Sequence, residues 1–182
     1  MMKDSRIDTQ DLFDFITPLQ RDKVIGRYAL SSRLPRRVYT DPDFLRLEYT
    51  RWLARTWLMV GRAHEIPQPG DAIPVPGHPI FLIRDDTGEV RAFYNACRHR
   101  GHELITERCN KKNGIVCPYH HWVYGPDGAL RSATHFGGYR QHHHPQLNPK
   151  EFGLQAIRCA QWHNWILINL DGQAPAPEEY VQ

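Results

Sequence analysis

From Gly61 onward the chain never sustains a helical period. Apolar runs of four to six residues follow one another, each stopped by a cluster of Gly, Pro, Asp or Asn. That punctuation predicts short antiparallel strands. Ile80-Phe81-Leu82-Ile83 and Val90-Arg91-Ala92-Phe93-Tyr94 flank Asp85-Asp86-Thr87-Gly88 and read as a hairpin. Trp122-Val123-Tyr124 and Ala129-Leu130 flank Gly125-Pro126-Asp127-Gly128, a second turn with strong local chemistry. Leu154-Gln155-Ala156-Ile157 alternates, and Trp165-Ile166-Leu167-Ile168-Asn169-Leu170 has the character of a buried strand. Pro175 and Pro177 are expected to end regular structure. Upstream, residues 1 to about 37 read as an arm, with one short helical turn at Asp11–Ile16 before Pro18. A helix is predicted from about Asp41 to Trp57, capped by Asp41 or Thr40, with Pro42 in its first turn and Leu45, Tyr49 and Trp52 on one face. The fold class expected is therefore mainly β, an antiparallel core with one helix ahead of it.

Two short blocks carry the chemistry: Cys97-Arg98-His99 and Cys117-Pro118-Tyr119-His120, with 17 residues between His99 and Cys117. Each follows a predicted strand, so each is expected at a loop tip. Two facing tips can offer two sulfurs and two imidazoles to one small site. Both motifs in this order and separation would arise by chance in roughly one such chain in a thousand. Thiolates suit iron and bridge well with sulfide. Two imidazoles in place of two thiolates on one iron raise the reduction potential to about −150 to +300 mV, against about −400 mV for all-Cys plant-type clusters. A structural zinc site with two Cys and two His is the competing reading of the same spacing.

Composition narrows the classes. Hydrophobic residues make up 41% and charged residues 24%, the balance of an ordinary globular protein. No run approaches the ~18 apolar residues of a membrane span, and Met1-Met2-Lys3-Asp4-Ser5-Arg6 has no apolar stretch behind it, so a cytoplasmic address is expected. The formal charge of +3 is spread without a basic stripe interleaved with aromatics, so nucleic acid is not indicated. Four cysteines are few for a disulfide framework. Cys159 is read as a buried apolar filler. His64, His78, His135 and His163 are read as surface or hydrogen-bonded histidines, and His142-His143-His144 as a solvated loop.

Asn95-Ala96-Cys97-Arg98-His99-Arg100-Gly101 and Cys117-Pro118-Tyr119-His120-His121-Trp122-Val123-Tyr124 closely resemble the Rieske segment of non-haem iron oxygenase α subunits, the ring-hydroxylating dioxygenases and their relatives acting on quaternary amines. The likeness extends upstream through Leu34–Pro42, Trp57–Gly61 and Glu65–Asp71, where the wording is similar to the choline and glycine-betaine oxygenase branch, and it ends near Asn169-Leu170-Asp171. The resemblance implies a Rieske fold of antiparallel sheets with a small cluster-binding subdomain at about 95–130. The domain would span 41–172, between an arm at 1–40 and a tail at 173–182. It implies a [2Fe–2S] cluster with Cys97 and Cys117 on one iron and His99 and His120 on the other. Pro118, Trp122 and Tyr124 fall at positions that shape and support the second loop, while His121 stands where the family usually has a small residue. Cys109 lies where some high-potential Rieske proteins have a disulfide cysteine, but no Cys follows the second ligand pair, so no bridge and a potential toward the low end are expected. The family's catalytic domain holds a mononuclear iron through two His and one carboxylate. No such motif occurs in this chain, so Fe(II) is expected only in a domain absent from it, and no hydroxylation by these residues alone. A reductase or ferredoxin as electron donor, that mononuclear-iron domain as acceptor and a homotrimer are the partners implied. A stand-alone Rieske ferredoxin is the alternative; the arm and the helix count against it.

Overall fold

The computed structural model describes residues 34–138, 140–142 and 147–180, in two compact units divided between Thr56 and Trp57. The expected helical turn at Asp11–Ile16 and most of the arm lie outside the described residues.

In the first unit, α1 (Arg36–Thr40) is a short helix in a stretch expected to be arm. α2 (Pro42–Arg51) begins as expected: the Asp41 carboxylate accepts from the Asp43 N–H at 2.9 Å, and Pro42 sits in the first turn. It ends six residues earlier than the expected Trp57. Trp52 leaves helical geometry at φ −121°, and Leu53–Arg55 tighten into a 3-10 turn. Leu45 and Trp52 are about half exposed, and Phe44 is the residue of α2 that is buried.

The second unit is antiparallel β. β1 (Leu58–Arg62), β2 (Asp71–Pro74), β3 (Ile80–Arg84), β4 (Val90–Tyr94), β5 (Cys109–Asn110), β9 (Ala156–Trp162) and β10 (Trp165–Asn169) form one curled sheet in the order β1-β10-β9-β4-β3-β2-β5. β6 (Ile115–Val116), β7 (Val123–Tyr124) and β8 (Leu130–Ser132) form a second, small sheet. A one-turn helix, α3, starts at Pro177. Pro177 was expected to end regular structure. It opens a turn instead, because a first-turn position needs no N–H.

The β3–β4 hairpin follows from Asp85. Its buried carboxylate accepts from the Thr87 N–H (2.9 Å), the Thr87 hydroxyl (2.6 Å), the Glu89 N–H (2.9 Å) and Arg91 Nε (2.5 Å). Burial by itself would raise this carboxyl's pKa; the four hydrogen bonds outweigh it and hold the group below its usual range.

β3 is buried on both faces, which is why Ile80–Ile83 is apolar without alternation. Phe81 and Ile83 enter one core with Phe93, Leu104, Ile115 and Trp122. Ile80 and Leu82 enter another with Ile66, Ile157, Ile166 and Ile168. The first core joins the small sheet to the large one and contains Cys97 and Cys117. Gly128, at φ +83°, closes the β7–β8 turn directly on Phe93, where a Cβ would stand 2.4 Å from the ring. The segment after β10 is held too: Trp57 Nε1 donates to the Pro175 carbonyl at 2.8 Å, and Arg158 bonds the Ala174 carbonyl.

Candidate metal centre

The chain leaves β4 at Tyr94 and enters the first loop through Asn95, which is buried. Its Oδ1 accepts from the Leu104 and Ile105 N–H groups at 3.0 and 2.9 Å, and its Nδ2 donates to the Ile105 carbonyl at 2.7 Å. One side chain thus closes the excursion that carries Cys97 and His99. The second loop joins β6 to β7 and carries Cys117 and His120.

The two loops repeat one backbone pattern at an offset of twenty positions. In the first, the Cys97 N–H donates to the His102 carbonyl (2.8 Å) and the Gly101 N–H to the Cys97 carbonyl (2.8 Å). In the second, the Cys117 N–H donates to the Trp122 carbonyl (2.8 Å) and the His121 N–H to the Cys117 carbonyl (3.0 Å). Gly101 and His121 therefore occupy equivalent corners, and both have positive φ, +72° and +57°. A left-handed corner favours glycine. This explains why His121 is a departure from a position usually filled by a small residue. The Thr134 hydroxyl donates to the His121 carbonyl at 2.7 Å and holds the strained corner.

The four sequence-selected side chains come together as two pairs. Cys97 and Cys117 are buried, and their thiols lie close enough for Cys97 to influence the ionisation of Cys117. Burial pushes the Cys117 thiol up; the backbone N–H groups of Tyr119 and His120 pull the other way, and the neighbouring Cys97 raises it further. Tyr124 Oη lies 3.2 Å from Cys97 Sγ and accepts the Arg98 N–H at 3.0 Å, which leaves the phenol hydrogen for the sulfur. Burial, then Cys97, keeps that phenol protonated far above its ordinary range.

His99 and His120 form the second pair, rings edge-on with centroids 4.7 Å apart. Burial, then His120 and Arg100, lower the His99 pKa. His99 Nδ1 is buried and has no hydrogen-bond partner among the described residues. Both rings line an open groove of about 460 Å³ whose walls include Tyr119, His121, His135 and Phe136. Among the described residues no three Cys, His, Asp or Glu side chains are gathered around one point as ligands of a single ion. A pair of sulfurs and a pair of imidazoles carried on the same two loops fits two irons bridged by sulfide.

The remaining histidines and cysteines stand apart. His64 is hydrogen-bonded to Asn164 (2.7 Å), His135 Nδ1 accepts from the Arg140 N–H (3.0 Å), and His163 lies edge-on to Trp162. His142 is exposed with its ring near His135; His143 and His144 lie outside the described residues. Cys109 is a half-buried free thiol against the core that contains Cys97 and Cys117. Cys159 is also half-buried, its thiol pushed up to about 12 by burial. Sequence reasoning missed the Asn95 clamp, Thr134 and the packing of Trp122 on His99. The one trace of the repeated loop in the sequence is the twenty-position offset of the two cysteines.

This β scaffold with paired Cys and His on two equivalent loops is that of an iron–sulfur protein. Residues 56–143 match the Rieske [2Fe–2S] domain. The glycine betaine monooxygenase oxygenase subunit of Chromohalobacter salexigens is 33% identical over 150 residues, covering 81% of this chain and 32% of that subunit. A quaternary ammonium Rieske monooxygenase structure, bearing on carnitine oxidation by gut microbiota and inter-subunit electron transfer, superposes with a TM-score of 0.70 at 30% identity, over 82% of this chain and 40% of that one. Naphthalene 1,2-dioxygenase from Rhodococcus sp. superposes at 0.77 with 28% identity, over 93% of this chain and 38% of that one. The chain belongs to the Rieske [2Fe–2S] domain family, on the branch of the Rieske oxygenase subunits, and it carries the portion that holds the [2Fe–2S] cluster. It spans about a third of the length of the curated relatives it matches. Among the described residues no helix is long and apolar enough to cross a membrane.

Proposed function

We propose that the cluster is held with Cys97 and Cys117 on one iron and His99 and His120 on the other, and that the chain is the electron-relay part of an oxygenase. The observation that carries this reading is His99 Nδ1, buried and unpartnered among the described residues on a ring that meets His120. Leaving such an atom unsatisfied costs about 1–3 kcal/mol, so a fold that keeps one is shaped for a group that completes it. When bound, the cluster supplies one-electron chemistry at about −150 to +300 mV.

The protein's own residues set the terms of that chemistry. The Tyr119 and His120 N–H groups favour the Cys117 thiolate, and the Tyr124 hydroxyl donates to Cys97. Ile115, Trp122 and Leu130 insulate the sulfur side. The imidazole side opens on the groove, so electrons enter and leave there rather than through the sheet. A reductase or ferredoxin is the donor. The acceptor is a mononuclear-iron catalytic domain, on a neighbouring subunit of a homotrimer, of an oxygenase acting on quaternary amines or aromatic compounds. The similarity to oxygenase subunits, one of them described with inter-subunit electron transfer, supports this assignment. The domain is taken as 41–172 with its cluster-binding part at 95–130. The address is the cytoplasm, which suits four cysteines that form no disulfide with one another.

Anaerobic reconstitution with iron and sulfide tests the reading. The chain should take up two irons and two acid-labile sulfides, and its reduced form should give the paramagnetic resonance signal of mixed Cys/His ligation. Cys117→Ser should lose the cluster. Zinc in place of iron, an all-Cys signal, or full iron content in Cys117→Ser would overturn it.

A further inference from the structure

We infer that Trp122 is a positioning residue for His99: carried on the second loop, it braces a ligand of the first, fixing the plane of that imidazole and with it the reduction potential. The inference rests on the cluster reading above. Trp122 is 1% exposed, and its indole lies parallel to the His99 ring, centroids 4.8 Å apart and planes 6° apart. This is an offset stack, an arrangement aromatic pairs favour. Phe136 and Phe152 meet the indole edge-on, both at 71°, at 5.7 and 5.8 Å, so the indole is held against tilting. The Cys117 N–H to Trp122 carbonyl bond ties the same residue to the first ligand of its own loop. An imidazole anchored at its ligating nitrogen and through Cβ can still tilt its plane about the line between those anchors. The parallel indole blocks that tilt. This contact couples the two loops, twenty positions apart in sequence, in addition to the contact of His99 with His120.

The contact also has a sign. A metal-bound imidazole is electron-poor, more so when the iron is oxidised, and the indole face is electron-rich. The stack therefore favours the oxidised state. Removing the indole would also admit water beside a centre that is formally neutral when oxidised and singly negative when reduced, and water favours the charged form. Losing the stack and admitting water both raise the potential.

The test uses the full chain carrying its cluster, with Trp122→Leu and Trp122→Phe, read by iron and sulfide content, by midpoint potential at one fixed pH and by paramagnetic resonance of the reduced form. Trp122→Leu should shift the reduction equilibrium at least threefold toward the reduced form, about 30 mV upward at 59 mV per tenfold for one electron, and should displace the g-values. Trp122→Phe keeps a ring against His99 and should restore most of both. If Trp122→Leu does not retain the cluster, the double variant Phe136→Leu/Phe152→Leu loosens the indole without removing it, and should shift the potential the same way by less. An unchanged or lowered potential with wild-type g-values, in Trp122→Leu or in the double variant standing in for it, would overturn the inference. Failure of the wild-type chain to take up iron and sulfide would instead sink the cluster reading itself.

Discussion

The equivalent corners at Gly101 and His121 give a paired prediction of opposite sign. His121 is exposed and held at φ +57°. A non-glycine residue in that region costs about 1–2 kcal/mol, while introducing glycine loosens the unfolded chain by about 0.4–1 kcal/mol. His121→Gly should therefore stabilise the protein by about 0.5–1 kcal/mol. The Thr134 bond is untouched, because it uses the His121 backbone carbonyl. Gly101, at φ +72°, has nothing within 4 Å of where a Cβ would stand, so Gly101→Ala introduces no clash and its cost is purely of backbone origin. It should destabilise by about 1 kcal/mol. Anaerobic urea denaturation of the cluster-loaded chain, wild type and both variants side by side, reads the two shifts, each worth roughly 2–4 °C per kcal/mol in a parallel thermal melt. Two shifts of the same sign, or no effect at Gly101, would refute the equivalence of the corners.

Two further outcomes follow from single side chains. Tyr124→Phe removes the hydroxyl that donates to Cys97 Sγ; a hydrogen bond favouring the more negative, reduced state by about 1 kcal/mol is worth about 40 mV, so the midpoint potential should fall by that order, and a rise would contradict the donor assignment. Asp85 is held below its usual value of 3.8. Its stabilising effect is thus complete above that pH and fades as the pH falls through the lower folded value. Asp85→Asn should cost about 1–3 kcal/mol at pH 7, and the gap from wild type in denaturation free energy should narrow toward pH 3. A gap constant with pH would show that the carboxylate charge is not what the hairpin uses.

What the sequence determined by itself is whatever local chemistry encodes. Asp85-Asp86-Thr87-Gly88 specifies its hairpin because the carboxylate bonds backbone within four residues. Asp41-Pro42 specifies where α2 starts for the same reason. The Cys/His spacing marks the two pairs proposed as ligands because a short motif on a loop tip is also local. The two-residue strands β5 and β6 carry too few residues for a period, and β9 extends to Trp162 through polar positions because β10 pairs with it along that whole length.

Only the tertiary structure decided which loops face one another and what braces them. That Trp122 lies on His99 rather than supporting its own loop alone, that Tyr124 reaches Cys97, and that Gly128 closes on Phe93 are contacts across 23, 27 and 35 positions. No period or motif records them. Such contacts arise when two apolar faces of one strand, β3, are buried at once and the small sheet is pressed onto the large one. The residues that bind are chosen by their chemistry; how they are held is chosen by what is left to touch when the core closes.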